Sequence, residues 1–234
     1  MSISAAALTD VDAQLVERVR LAIYRQYATT GAQPHRSDVA TALGLQEDVV
    51  DAAFTRLAEQ RHIALDVRGD IVMAHPFAST NLGFSVMGDR TLWWGGCAWD
   101  SFAVPHLVPG ASSVLVATTC PGCGAAHAWT VTNEAPPAGD QLAHFLVPTT
   151  HIWDDVVHAC GNQRIFCGEV CIASWLAETG NERGSVFDLA TLWRLASRWY
   201  EGRLDSPYTR REPIAAAAYF AEVGLSGAFW GLPD

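Results

Sequence analysis

The chain has 234 residues, half of them hydrophobic, so it can bury a sizeable core and fold as one large domain or as a small domain plus a larger one. Its formal charge is −10, with 25 acidic residues against 15 basic ones, every basic residue being Arg. A chain this acidic is a poor partner for nucleic acid or an anionic membrane, because both need a positive surface.

The apolar positions Val11, Leu15, Val19, Ala22, Ile23 and Tyr27 recur at helical spacing and predict a helix over 10–30. Ser37 opens a short helix over 38–43, which Gly44 ends. A third helix runs from Gln46 to Arg61, with Val49, Val50, Ala53, Phe54 and Leu57 on one face. Two short β-like runs follow, at 63–67 and 71–74, joined by Arg68-Gly-Asp70 as a hairpin turn. Three helices and a hairpin read as a winged-helix-like domain over 1–78. Glu47, Asp48, Asp51 and Glu59 outweigh Arg56 and Arg61 on the third helix, so phosphate would be repelled there and DNA binding is not expected.

A linker is expected near Pro76–Asn81. Beyond it, strands are predicted at 83–87, 113–118, 127–132 and 143–147, and helices at 98–107, 169–178, 186–200 and 213–222. This predicts a second domain over 79–234, a small mixed β-sheet flanked by helices, and an α+β class overall. The final apolar segment, with Tyr219, Phe220, Phe229 and Trp230, is expected to pack within the chain rather than at a dimer contact. Apolar runs are too short to cross a membrane and the first ten residues lack a signal peptide's basic start, so a cytoplasmic protein is expected. Six Cys in that compartment suggest metal or redox chemistry more than disulfides.

The chemistry-bearing stretch is Gly95-Gly-Cys-Ala-Trp-Asp-Ser-Phe-Ala-Val-Pro105. Cys97 should open a helix, where free N–H groups would lower its thiol pKa. Asp100, three residues on, shares its face. The pair supplies a soft nucleophile beside a proton carrier. Taken alone, the pair is better explained as a buried Cys and a helix-surface Asp. Trp93, Trp94, Trp99 and Phe102 are candidates for an apolar pocket around an organic group, or ordinary core aromatics. A second segment adds Cys160, Cys167 and Cys171, with Asp154, Asp155 and His158 nearby. Buried thiols account for one or two of these, but less well for Cys120-Pro-Gly-Cys123-Gly together with Cys167-x-x-x-Cys171. Those two pieces have the spacing of the halves of a treble-clef-type zinc site, with Cys120, Cys123, Cys167 and Cys171 as ligands of a structural Zn²⁺. His151 and His158 read more readily as surface residues than as ligands.

The run Cys97-Ala98-x-Asp100-Ser101-x-x-x-Pro105, followed by Cys160 and Phe166, resembles the alkylmercury lyase (organomercurial lyase) family, and the likeness extends over most of residues 10–180. Beyond Gly180 it does not extend. The family also places a winged-helix-like domain before its catalytic domain. The resemblance implies that Cys97 and Cys160 capture the mercury of an organomercurial, while Asp100 accepts a thiol proton and delivers it to the carbon leaving group. No cofactor would be required. A small organometallic would be the substrate, and low-molecular-weight thiols or a mercury reductase would accept the metal. Cys120 corresponds to a cysteine the family uses for support; Cys123, Cys167 and Cys171 are additional to the pattern. Those extra thiols keep a second reading open, a thiol-based metal-binding or metal-responsive regulatory protein without turnover. Unrelated thiol chemistry is a third reading, on which the residues give no handle.

Overall fold

In the computed structural model the described residues are 10–211 and 213–233, with side chains described from residue 13 onward. The reading of the first nine residues therefore lies outside the described part.

Helix α1 (Asp10–Thr30) is followed by α2 (Arg36–Leu43) and α3 (Glu47–Glu59). Gly44 closes α2 at φ +65°, a left-handed conformation that costs glycine little. The apolar stripe on α1 is buried at Val16, Val19, Ile23, Tyr24 and Tyr27, and α3 meets it through Val50, Ala53, Phe54 and Leu57. Burying each of the Val, Ile, Leu and Phe side chains among them stabilises by about 1.5–3 kcal/mol. The hairpin forms as expected from β1 (Ala64–Leu65) and β2 (Ile71–Ala74).

The expected linker does not exist as one. Phe77 and Ala78 form β3 (Phe77–Ala78), which pairs with β2 on one side and with β5 (Leu92–Gly95) on the other. Their side chains are fully buried, so pairing and burial outweigh the turn signal of Pro76. The hairpin thus continues into a sheet with β4 (Phe84–Met87), β6 (Ser113–Thr119) and β7 (Ala126–Thr132), in the order β1-β2-β3-β5-β4-β6-β7. A second sheet orders β10 (Ser185–Asp188), β8 (Leu142–Phe145) and β9 (Gln163–Phe166) as β10-β8-β9.

The α+β class holds, but the single small mixed sheet becomes two sheets in which every pairing is antiparallel. The reason lies in one crossover. Strands β5 and β6 run in the same direction and are joined by α4 (Ala98–Leu107), as in a parallel unit, yet β4 lies between them and pairs antiparallel with both. Helix α4 lies across this sheet, with α7 (Leu189–Ser197) packed against its other side. Short α5 (Val156–Gly161) leads into β9, and α6 (Glu169–Thr179) follows it. The expected helix over 186–200 begins three residues late, because 185–188 pairs with β8 and the Asp188 carboxylate caps α7 by accepting from the Thr191 N–H at 2.7 Å. In and after α8 (Pro213–Glu222), Tyr219, Phe220 and Trp230 are buried, so the final segment packs within the chain. No helix among the described residues is long and apolar enough to cross a membrane.

One continuous apolar core runs from the N-terminal helices through the large sheet to α7 and Trp230. Cys120, Phe166, Ile172 and Trp175 form a separate small cluster.

Candidate active site

Cys97 stands at the junction of β5 and α4. Its backbone is extended, and its Sγ accepts the Asp100 N–H at 3.3 Å, so the thiol itself caps the helix. Ser101 Oγ donates to the Cys97 carbonyl at 2.7 Å. The preceding Gly95-Gly96 pair is required by close approach: a Cβ on Gly95 would lie 2.0 Å from Ser101 Oγ, and one on Gly96 would lie 2.3 Å from Asp100 Oδ2. The helix thus folds back tightly against the strand that feeds it, with Cys97 and Asp100 inside the protein.

Cys160 reaches the same point from α5, whose start is capped by Asp155 Oδ1 accepting from the His158 N–H at 2.9 Å. Cys97, Asp100 and Cys160 are all essentially buried. Ligating atoms of Cys160, Asp100 and His75 lie within 4.8 Å of one another. His75 Nδ1 is 3.1 Å from Asp100 Oδ2, and the Tyr200 hydroxyl donates to Asp100 Oδ1. Arg203, also buried, donates to the His75 carbonyl at 2.8 Å and stacks on the Tyr200 ring at 4.6 Å.

The electrostatics follow from this packing. Burial pushes the Cys97 thiol well above its ordinary pKa, helped by its hydrogen bond with Cys160 and the Asp100 charge. The lowering expected from the helix N-terminus is therefore overridden, because desolvation at a fully enclosed sulfur exceeds what one backbone N–H contributes. At Cys160 the hydrogen bond with Cys97 favours the thiolate, but burial and Asp100 together leave the thiol above its ordinary value. For Asp100, burial alone would raise the pKa. The charge and hydrogen bond of His75, with those of Tyr200 and Cys97, outweigh it and hold the carboxyl below the ordinary range.

These groups form the floor of a cavity of about 490 Å³. Its walls carry Trp99, Trp153, Trp199, Phe220 and Trp230. Trp99 anchors this cluster, donating from its indole N–H to the Leu195 carbonyl at 3.2 Å and lying 4.7 Å from Trp199. Of the four aromatic residues singled out as pocket candidates, only Trp99 lines the cavity. Trp93 points the other way, its indole N–H reaching the Tyr27 and Ala28 carbonyls at the end of α1. Trp94 alternates away along β5 and packs, half-buried, against the core. Phe102 lies one turn along α4 on its sheet side, against Trp129. Sequence reasoning does not find His75, Tyr200, Arg203 or the C-terminal aromatics. They are 25 to 130 positions from Asp100 and share no local pattern with it; the density of Trp after position 190 is the one available signal.

The other four cysteines gather elsewhere. The sulfurs of Cys120, Cys123, Cys167 and Cys171 lie within 4.8 Å of one another, on the turn after β6 and at the start of α6. Cys123 and Cys167 sulfurs are 3.5 Å apart, and the Cys167 N–H points at Cys120 Sγ at 3.4 Å. Gly122 lets the knuckle close, since a Cβ there would lie 2.2 Å from the Cys171 carbonyl oxygen. His151 pairs with Asp154 at 2.8 Å on the surface and His158 is exposed; neither joins a ligand cluster.

Residues 77–201 match the family model of alkylmercury lyase (MerB). No curated protein matches the chain. Among solved structures, the chain is similar to the mercury-bound form of MerB2, with a TM-score of 0.59 at 16% identity, covering 82% of this chain and 96% of that one. That likeness is one of fold. The matched segment spans more than half of the chain and carries Cys97, Asp100 and Cys160, so the chain belongs to the alkylmercury lyase family, as a carbon–mercury lyase.

Proposed function

We propose that this protein cleaves the carbon–mercury bond of a small organomercurial by protonolysis, with Cys97 and Cys160 capturing mercury and Asp100 carrying the proton. The observation that carries this reading is the enclosure of two thiols and one carboxylate at the floor of an aromatic cavity. For a substrate R–Hg–X, one thiol displaces X and its proton leaves as HX. The second sulfur then binds mercury, and its proton passes to Asp100. Mercury, now held by two thiolates, is electron-rich and its bond to carbon is weakened; Asp100 returns the proton to carbon and R–H departs. Two sulfur–mercury bonds form, the mercury–X and mercury–carbon bonds break, and no redox change occurs. A soft metal suits thiolate, and a positioned acid suits a carbanion-like leaving group.

The perturbed pKa values fit this order. Both thiols are protonated at rest and Asp100 is a carboxylate, so the proton does not move until mercury binds and acidifies the sulfur. The resting site is thereby guarded against oxidation. Trp99, Trp153, Trp199 and Trp230 enclose the organic group, and no cofactor enters any step.

The Cys120, Cys123, Cys167 and Cys171 set is read as a structural Zn²⁺ site. Four thiolates from a knuckle and a helix start suit zinc, whose tetrahedral Zn–S bonds of about 2.3 Å put sulfurs near the spacing found here, and the Cys167 N–H supplies an outer-shell hydrogen bond. Residues 1–78 are read as a winged-helix-like unit and 79–234 as the catalytic unit. A cytoplasmic detoxification role, with low-molecular-weight thiols or a mercury reductase taking the metal, completes the proposal.

The test is product analysis. Protein with phenylmercury or methylmercury and excess small thiol should release benzene or methane. Asp100→Ala should lose about 10²–10⁴-fold in rate, and Cys97→Ser and Cys160→Ser should each abolish turnover while retaining the native circular dichroism. Absence of hydrocarbon from several organomercurials would sink the proposal.

A further inference from the structure

The charge around the cavity is opposite to that of the chain. The protein carries a net −10, yet Arg61, Arg203, Arg210 and Arg211 line this one cavity, with Asp100 the sole carboxylate among its described lining residues. Arg203 is accounted for by the tyrosines and the His75 carbonyl it touches. The other three have no carboxylate within ion-pair distance among the described residues. Arg210 donates to the Gln60 carbonyl, Arg211 donates to the Arg198 carbonyl, and Arg61 makes no side-chain hydrogen bond with the described residues. No ion pair among the described residues neutralises their positive field. Burial, then Arg203 and Arg61, hold the Arg210 guanidinium below its ordinary pKa. Burial and the charges of Arg203, Arg20 and Arg210 push neighbouring His62 down to about 4.

Position matters as much as sign. The Arg210 guanidinium lies over the Trp153 ring at 5.4 Å, and that ring is 5.6 Å from the His75 ring, which touches Asp100. The Arg211 guanidinium lies 6.0 Å from the Trp199 ring, which lies against Trp99. Arg210 and Arg211 are therefore each set back from the reacting atoms by two aromatic side chains. A bare alkylmercury would leave this rim untouched and most of the cavity empty. Arginine forks of this kind suit carboxylates, which they can bind through paired N–H donors.

We infer that the cavity selects organomercurials presented with a carboxylate, the anion binding the Arg61, Arg210 and Arg211 rim while mercury meets the thiols. This rests on the lyase reading of the same site. The carboxylate can sit on the organic group itself or on the small thiol that carries the mercury in as R–Hg–SR′; both bring one anion into the cavity together with the metal.

The experiment separates the two sources. In one arm, para-carboxyphenylmercury is compared with phenylmercury, each as its mercaptoethanol adduct. In the other, phenylmercury is supplied as its mercaptopropionate adduct and as its mercaptoethanol adduct. The expected result is a kcat/KM higher by about tenfold or more for the carboxylate partner in at least one arm, the scale of one charge-assisted hydrogen bond. The ratio should fall toward one in Arg210→Gln/Arg211→Gln and shrink as salt is raised. Because each ratio is taken on one protein preparation, partial misfolding of the variant cancels. Turnover with no preference in either arm overturns the inference and leaves the lyase reading standing. Should no substrate turn over, the lyase reading falls and a thiol-independent titration decides the inference. Benzoate should then quench the fluorescence of the cavity tryptophans at concentrations at least about tenfold lower than its neutral isostere benzamide; equal binding refutes the anion site.

Discussion

Replacing Tyr200 with Phe removes one oxygen atom from the centre of the site and nothing else. The Tyr200 hydroxyl donates to Asp100 Oδ1 inside a fully buried pair, and its loss would leave the carboxylate to His75 and the Cys97 thiol. A hydrogen bond to a charged acceptor is worth about 1.5–3 kcal/mol. Because that bond favours the charged form, losing it raises the Asp100 pKa. The Asp100 pKa is depressed in the folded state, so the stabilisation it represents is present above the unfolded value, about 3.9, and is lost as pH falls through the folded value. Tyr200→Phe should therefore cost about 1.5–3 kcal/mol of stability near neutrality and progressively less in acid. Catalysis reads the same change. If the free enzyme must hold Asp100 as a carboxylate, kcat/KM falls on the acid side of its pKa, and in Tyr200→Phe that limb moves to higher pH. The assay is hydrocarbon release from phenylmercury across acid pH, with urea unfolding at two pH values. A well-folded variant whose acid limb stays where it is in the parent would refute the assignment of Asp100 as proton acceptor, because the Tyr200 contact could not then be controlling the titrating group.

Other consequences are more direct. Trp93→Phe should lower stability by about 1–2 kcal/mol, since its indole N–H ties the large sheet to α1, and leave KM for organomercurials unchanged; Trp99→Phe should raise KM. Arg203→Met should cost about 2–4 kcal/mol in urea unfolding, because it strips the His75 carbonyl of its donor and three tyrosine rings of their cation. Protein purified without added zinc should carry about one Zn²⁺ per chain by elemental analysis, and a metal-free, fully folded protein would end the zinc reading. Gly122→Ala should lose that zinc and lower Tm, since its Cβ cannot coexist with the Cys171 carbonyl.

What the amino-acid order determines here is whatever depends on neighbours along the chain. Cys97 is the N-cap of α4 and Asp100 the third residue inside it, so the contact between them is a local capping contact, and Gly95-Gly96 marks the close approach that the strand-to-helix corner requires. The hairpin after α3, the knuckle at 120–124 and the acidic face of α3 are local in the same sense. Cys160 is different: its spacing says nothing physical, and only its place in a family pattern ties it to Cys97. Packing alone decides the rest. Buried Phe77 and Ala78 turn an expected linker into a sheet strand, and β4 separates β5 from β6 so that a crossover resembling a parallel unit closes an antiparallel sheet. The same packing brings His75 and Tyr200 to the two oxygens of one carboxylate and folds the tryptophan-rich C-terminal segment over it. Even the sign of the Cys97 pKa shift belongs to this level. A helix N-terminus lowers a thiol pKa, but enclosure by residues distant in the chain raises it further, and enclosure is a property that no local stretch of sequence possesses.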